Sequence, residues 1–110
     1  MTIYRLSDRC AVAGQIQPED VETLSTEGFT TVICNRPDGE DAGQPTADEI
    51  AQACEARGMA FHLIPVFHGG VSMDTVAQFR DAVEASEGPV LAYCRSGQRS
   101  SVLWQAIGSP

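Results

Sequence analysis

Four short apolar runs rich in β-branched residues, "CAVAGQI" (10–16), "FTTVICN" (29–35), "MAFHLIPV" (59–66) and "PVLAY" (89–93), are each followed by a segment of helical character. A further strand candidate, "TIYRLS", precedes the first of them. A run that is apolar at consecutive positions is a strand covered on both faces, and strands alternating with helices build parallel βαβ units. The expected fold is therefore α/β: one domain over residues 1–110, with a mostly parallel central sheet flanked by helices.

The helix boundaries carry their own signals. Pro18 suits the first position of a helix whose opening turn is acidic and whose Val21 and Leu24 share a face, with Gly28 as the stop. Thr46 and Glu49 form a capping box for "ADEIAQACEARG", which Gly58 ends. Ser72 is an N-cap for "MDTVAQFRDAVEASEG", where Val76, Phe79 and Val83 make one apolar stripe. Right-handed crossovers place functional loops beyond the carboxyl ends of the strands, so residues 35–43, 66–71 and 94–99 should meet there.

Charge narrows the ligands. The net charge of −8 and pI near 4.5 disfavour nucleic acid and anionic membrane as partners, so a small anion needs a local positive site. All seven basic residues are arginines, and Arg95 and Arg99 fall close together in "YCRSGQRSS" (93–101). The four cysteines are widely spaced, without a C-x-x-C pair, and there are two histidines, so neither a disulfide framework, a metal site nor a cofactor is implied. No run approaches the roughly 18 apolar residues of a membrane span, and "MTIYRLSDRCAVAG" lacks a signal-peptide core; a cytoplasmic protein with free thiols is expected.

Cys94 is the cysteine with a setting. The last strand delivers it to a loop whose backbone N–H groups can form an anion nest, at the positive end of the following helix. Gly97 permits the geometry and Arg99 adds a planar donor fork suited to an oxyanion. Ser100 and Ser101 stand at the helix start, where either hydroxyl could cap the helix or donate to a thiolate. Cys34, Cys54 and Cys10 have no such surroundings and are expected to be structural. The catalytic candidates are Cys94 and Arg99. The substrate-binding candidates are Arg95, Ser96, Gly97, Gln98 and Ser100 in the same loop, with Arg36 and Asp38 from "NRPDGE".

This strand, cysteine, arginine-bearing loop and helix resembles the loops of cysteine-dependent phosphatases and rhodaneses. From "CAVAGQI" through "TTVICNRPDGE" to "PVLAYCRSGQRSS", the chain resembles the phosphatase-like domain family of the β-lactamase hydrolase-like proteins. That family is found alone or fused to metallo-β-lactamase-type persulfide dioxygenases. The resemblance covers nearly all of the chain. It implies a dual-specificity-phosphatase-like fold with the cysteine loop on a central strand, and a functional link to a persulfide dioxygenase.

Two features set sulfur transfer ahead of phosphate-ester hydrolysis. Tyrosine-phosphatase loops place five residues between cysteine and arginine, whereas "CRSGQR" places four and matches the rhodanese form. The shorter loop predicts a narrower cradle, suited to a sulfane sulfur. In addition, "IPVFHGGVSMD" has His68 but no aspartate before Asp74, itself a first-turn helix acid, and phosphatases commonly protonate the leaving group with an aspartate. Asp38 is the other acid candidate, or simply part of a Pro-Asp-Gly turn. Arg36 and Asn35 bind substrate or orient the loop, unless Arg36 only pairs with Asp38, Glu40 and Asp41. His62 and Trp104 read as packed residues.

The expected activity is thus rhodanese-type sulfur transfer through a Cys94 persulfide, with a small anionic sulfur donor and a thiol acceptor as partners. Arg95 would attract the donor. The alternative is a cysteine-based phosphatase acting on a phosphoester with the same loop. A second alternative is a non-catalytic module that binds an anion or a partner protein. The short "WQAIGSP" end leaves room for an apolar patch and a homo-oligomer.

Overall fold

The computed structural model describes residues 1–67 and 69–108. Its elements run β1 (Ile3–Arg5), β2 (Cys10–Ala13), α1 (Asp20–Thr26), β3 (Thr31–Cys34), α2 (Ala47–Ala56), β4 (Ala60–Leu63), α3 (Met73–Ala85), β5 (Val90–Tyr93) and α4 (Gln98–Ala106). The strands form one sheet in the order β1-β2-β5-β3-β4. β5 lies parallel between β2 and β3, β4 is parallel to β3, and the short β1 alone runs antiparallel, against β2.

The side-chain alternation of the strands divides the core into two layers. Ala11, Ala13, Val32, Cys34, Leu91 and Tyr93 face the layer that buries Val21 and Leu24 of α1 with Ile50 and Cys54 of α2. Cys10, Val12, Ile33, Val90 and Ala92 face the opposite layer, with Phe79 and Val83 of α3 and Leu103 and Trp104 of α4. Every residue of β2, β3 and β5 is buried, which is why these strands read as continuous apolar runs. The capping box of Thr46 and Glu49 and the Ser72 cap form as the sequence predicts, and Gly28 and Gly58 take positive φ at the ends of their helices.

β4 departs from expectation. "MAFHLIPV" reads as a buried strand, but β4 is the sheet edge, with Ala60 and Leu63 exposed and Phe61 and His62 half-buried. Apolar content alone does not distinguish a central strand from one with a single neighbour. Among the described residues, no helix is long and apolar enough to cross a membrane.

Candidate active site

The chain leaves the centre of the sheet at Tyr93, and the next residue is Cys94. Its amide donates to the Ala13 carbonyl at 3.3 Å, so the loop begins hydrogen-bonded to the end of β2. Two glycines make the close approach possible. Gly97 is the N-cap of α4 at φ 93°, and a side chain there would also stand 3.4 Å from the Ala13 carbonyl. A β-carbon on Gly14 would lie 2.9 Å from the Arg95 carbonyl oxygen, which accepts a hydrogen bond from the Gln15 amide at 3.2 Å.

The Gly97 amide donates to Cys94 Sγ at 3.0 Å. Burial pushes the thiol pKa up, but the backbone N–H groups of Ser100, Ser96, Gly97 and Arg99 outweigh it and hold the pKa below the ordinary cysteine value. The other thiols lack such donors in number. Burial pushes Cys10 up to about 12 and Cys54 up to about 11, and it also raises Cys34. Cys94 is therefore the cysteine whose surroundings favour the thiolate. Its side chain is buried beneath the loop.

Arg99 reaches across to the two other loops. Its Nη1 donates to Glu40 Oε2 at 2.9 Å and to the Val66 carbonyl at 2.8 Å, and its Nη2 donates to Glu40 Oε1 at 2.8 Å. Both Nη1 protons and one Nη2 proton are thereby used. The side-on fork of Nε–H and the second Nη2–H is the part of the guanidinium suited to an oxyanion. The pairing holds the Glu40 carboxyl down at about 2, mainly through the Arg99 hydrogen bonds, and raises Arg99 in return. The three loops do meet at the carboxyl ends of the strands.

Arg36 stands behind this pair. It is buried and donates through Nε to Glu40 at 2.9 Å, through Nη2 to Asp41 at 2.7 Å and through Nη1 to Gln15 at 3.0 Å. Of the two readings of Arg36, substrate binding and pairing with the nearby acids, the structure shows the pairing: its guanidinium faces protein acceptors and fixes Glu40. Asp38 also has a protein partner. It is exposed, and its Oδ1 accepts from the Ala47 amide at 2.8 Å, at the first turn of α2.

Ser100 is buried, and its hydroxyl donates to Asn35 Oδ1 at 2.8 Å, while Asn35 Nδ2 donates to the Ile64 carbonyl at 2.8 Å. The Ser101 hydroxyl donates to the Gly97 carbonyl at 3.0 Å. Both hydroxyls thus serve the loop, and it is the Ser100 amide that faces the sulfur. Ser96 and Gln98 are exposed on the outside of the loop, with the Gln98 amide donating to Ser96 Oγ at 3.3 Å. Arg95 projects into solvent and pairs with the Asp41 carboxylate at 3.4 Å. Asp74 is exposed on α3, Trp104 is core, and His68 lies outside the described residues.

The role of Glu40 was not legible as such in the sequence, where it reads as one of several acids near Arg36; only the fold carries it to Arg99. A cavity of about 440 Å³ opens over the loop, with Arg95 and Arg99 on one side and Val66, Phe67, Val71 and Val102 on the other.

The chain matches the family described as "Beta-lactamase hydrolase-like protein, phosphatase-like domain" over residues 3–109. It is 36% identical over 104 residues to a beta-lactamase hydrolase-like protein of Agrobacterium fabrum, a match covering 94% of this chain and 24% of the relative. The chain thus spans about a quarter of the length of the curated relatives it matches. Its structure is similar to that of a candidate phosphatase from Neisseria meningitidis, with a TM-score of 0.85 and 39% identity, covering 94% of this chain and 74% of that one. It shares its fold with P. aeruginosa TpbA, whose crystal structure is a complex with phosphotyrosine, at a TM-score of 0.65 and 18% identity over 92% of this chain and 58% of that one. The chain belongs to the phosphatase-like domain family of the beta-lactamase hydrolase-like proteins.

Proposed function

We propose that this chain is a cysteine-based phosphatase that hydrolyses phosphomonoesters through a phosphocysteine at Cys94. The observation that carries the reading is the set of four amides turned toward a sulfur whose pKa they lower, beside an arginine with a side-on fork to spare. In the first step the Cys94 thiolate attacks phosphorus, the S–P bond forms and the P–O bond to the leaving group breaks. The loop amides and Arg99 hold the equatorial oxygens as charge develops on them. Water then attacks phosphorus, the S–P bond breaks, inorganic phosphate leaves and the thiolate is restored, with the proton of the water passing to solvent.

This reading displaces sulfur transfer, which the loop count favours. The family and its phosphatase-like structural relatives support phosphoryl chemistry. The count itself loses its force, because the Ser100 amide joins the cradle from beyond Arg99, so the spacing from cysteine to arginine does not limit the number of donors. The test is phosphate release from 4-nitrophenyl phosphate by the native chain and by Cys94→Ser. Turnover that persists in the variant contradicts the proposal.

A further inference from the structure

Gln15, two residues past the end of β2, joins the two sides of the site. Its backbone amide donates to the Arg95 carbonyl at 3.2 Å, which holds the residue that follows Cys94. Its side-chain Oε1 accepts from Arg36 Nη1 at 3.0 Å, and its Nε2 donates to the Ile16 carbonyl at 2.8 Å, so the oxygen end of the carboxamide faces the arginine. Arg36 Nη2 donates to Asp41 Oδ2 at 2.7 Å, and Arg95 Nε stands 3.4 Å from the same oxygen. The contacts close a ring, from Gln15 to Arg36, Asp41, Arg95 and back, that ties the end of β2 and the 35–43 loop to the cysteine loop. Arg36 carries this ring to the reacting side, because its Nε donates to Glu40 Oε1, the oxygen that also accepts from Arg99 Nη2. Arg36 is only 3% exposed, so water cannot readily replace Gln15 as its acceptor.

From these contacts we propose that Gln15 is a positioning residue for the phosphoryl transfer, acting through Arg36 and Glu40 on the direction of the Arg99 fork. The inference rests on the phosphatase reading and adds to it a residue outside the cysteine loop. Its neutrality is part of the role. Among the described residues of this network, Arg36, Arg95 and Arg99 face the carboxylates of Glu40 and Asp41, which leaves one positive charge for an incoming dianion. A third carboxylate at position 15 would still accept from Arg36 but would cancel that charge.

The test compares Gln15→Ala and Gln15→Glu with the native chain in steady-state hydrolysis of 4-nitrophenyl phosphate, with inorganic phosphate as competitive inhibitor and a thermal melt of each protein. Gln15→Ala should lower kcat by about tenfold or more and leave KM within about twofold, because the fork is no longer aimed for the transition state while the loop amides still bind the ester. Gln15→Glu returns an oxygen to Arg36, so kcat should recover to within about threefold of native, while the added charge should raise both KM and the inhibition constant of phosphate by about threefold or more. If Gln15→Ala melts below the assay temperature, Gln15→Asn, whose carboxamide stops one methylene short of Arg36, takes its place with the same expectation. An unchanged kcat in the shortened variant, or a Gln15→Glu chain that is just as slow, overturns the inference and leaves the phosphatase reading intact. Absence of Cys94-dependent turnover in the native chain overturns both.

Discussion

Arg99 and Glu40 meet end to end, with two parallel hydrogen bonds of 2.9 and 2.8 Å between guanidinium and carboxylate, and Arg36 donates to the same carboxylate at 2.9 Å from behind. The three side chains are mostly buried, with 18%, 14% and 3% of their surface exposed. This is a stack of two cations on one anion that sets where the side-on fork of Arg99 points, and its consequences extend to both rate and stability.

Glu40→Gln keeps the shape and removes the charge. Arg99 then loses its fixed partner, and kcat/KM for an aryl phosphate should fall by about tenfold or more, most of it in kcat, because the fork is no longer held for the transition state. Steady-state kinetics beside a thermal melt checks this. An unchanged kcat would make Glu40 a packing residue only.

The same carboxylate makes stability depend on acid. Its folded pKa, at about 2, lies below the unfolded value, so its contribution is complete above about pH 5 and is lost as pH falls through the folded pKa. Urea unfolding between pH 6 and pH 3 should show a decline of which Glu40 accounts for ~2 kcal/mol at most, and Glu40→Gln should flatten it. Equal slopes in both proteins would contradict the buried pairing.

The thiols give the opposite sign. Cys10 and Cys54, raised to about 12 and about 11, keep their protons in the folded chain while the unfolded chain loses them above about pH 8.5. Unfolding should become easier as pH rises from there toward those folded values, and Cys54→Ala should lessen the slope. Cys94, lowered, should alkylate with iodoacetamide at a pH where the other three do not react. Simultaneous labelling of all four cysteines in the folded state would contradict the cradle.

Ser100 and Asn35 are both fully buried and joined at 2.8 Å. Removing either hydrogen-bonding group leaves the other unpaired, at about 1–3 kcal/mol, whereas the double change to Ala should cost less than the sum. A double-mutant cycle by urea unfolding measures the coupling. Strict additivity would mean that the bond does not hold the loop to β3.

How far the sequence went follows from what kind of signal each residue carries. Strands β2, β3 and β5, the caps at Thr46 and Ser72 and the meeting of the three loops all follow from period, composition and crossover handedness. The placement of Cys94 and Gly97 in one loop was legible because it is local in the chain, whereas that Ser100 offers the sulfur its amide and sends its hydroxyl to Asn35 was not. Glu40 and Arg99 lie 59 positions apart and Arg36 and Gln15 lie 21 apart, and no local pattern says which acid an arginine will choose. Of the readings open for Arg36 and Asp38, the fold shows a protein partner for each. The preference for sulfur transfer rested on the count from cysteine to arginine and on the lack of an aspartate before Asp74; the count does not limit the donors to the sulfur, which continue into the first turn of α4.

The central claim is that Cys94 takes up a phosphoryl group. Acid-quenched single-turnover mixtures with 4-nitrophenyl phosphate, and parallel incubations with thiosulfate, can be read by intact mass. The account predicts a transient gain of about 80 Da on the native chain with the phosphate ester, located to Cys94 and absent from Cys94→Ser. A Cys94-dependent gain of about 32 Da from thiosulfate, with no phosphorylated species and no phosphate release, would contradict it and return the loop to sulfur transfer.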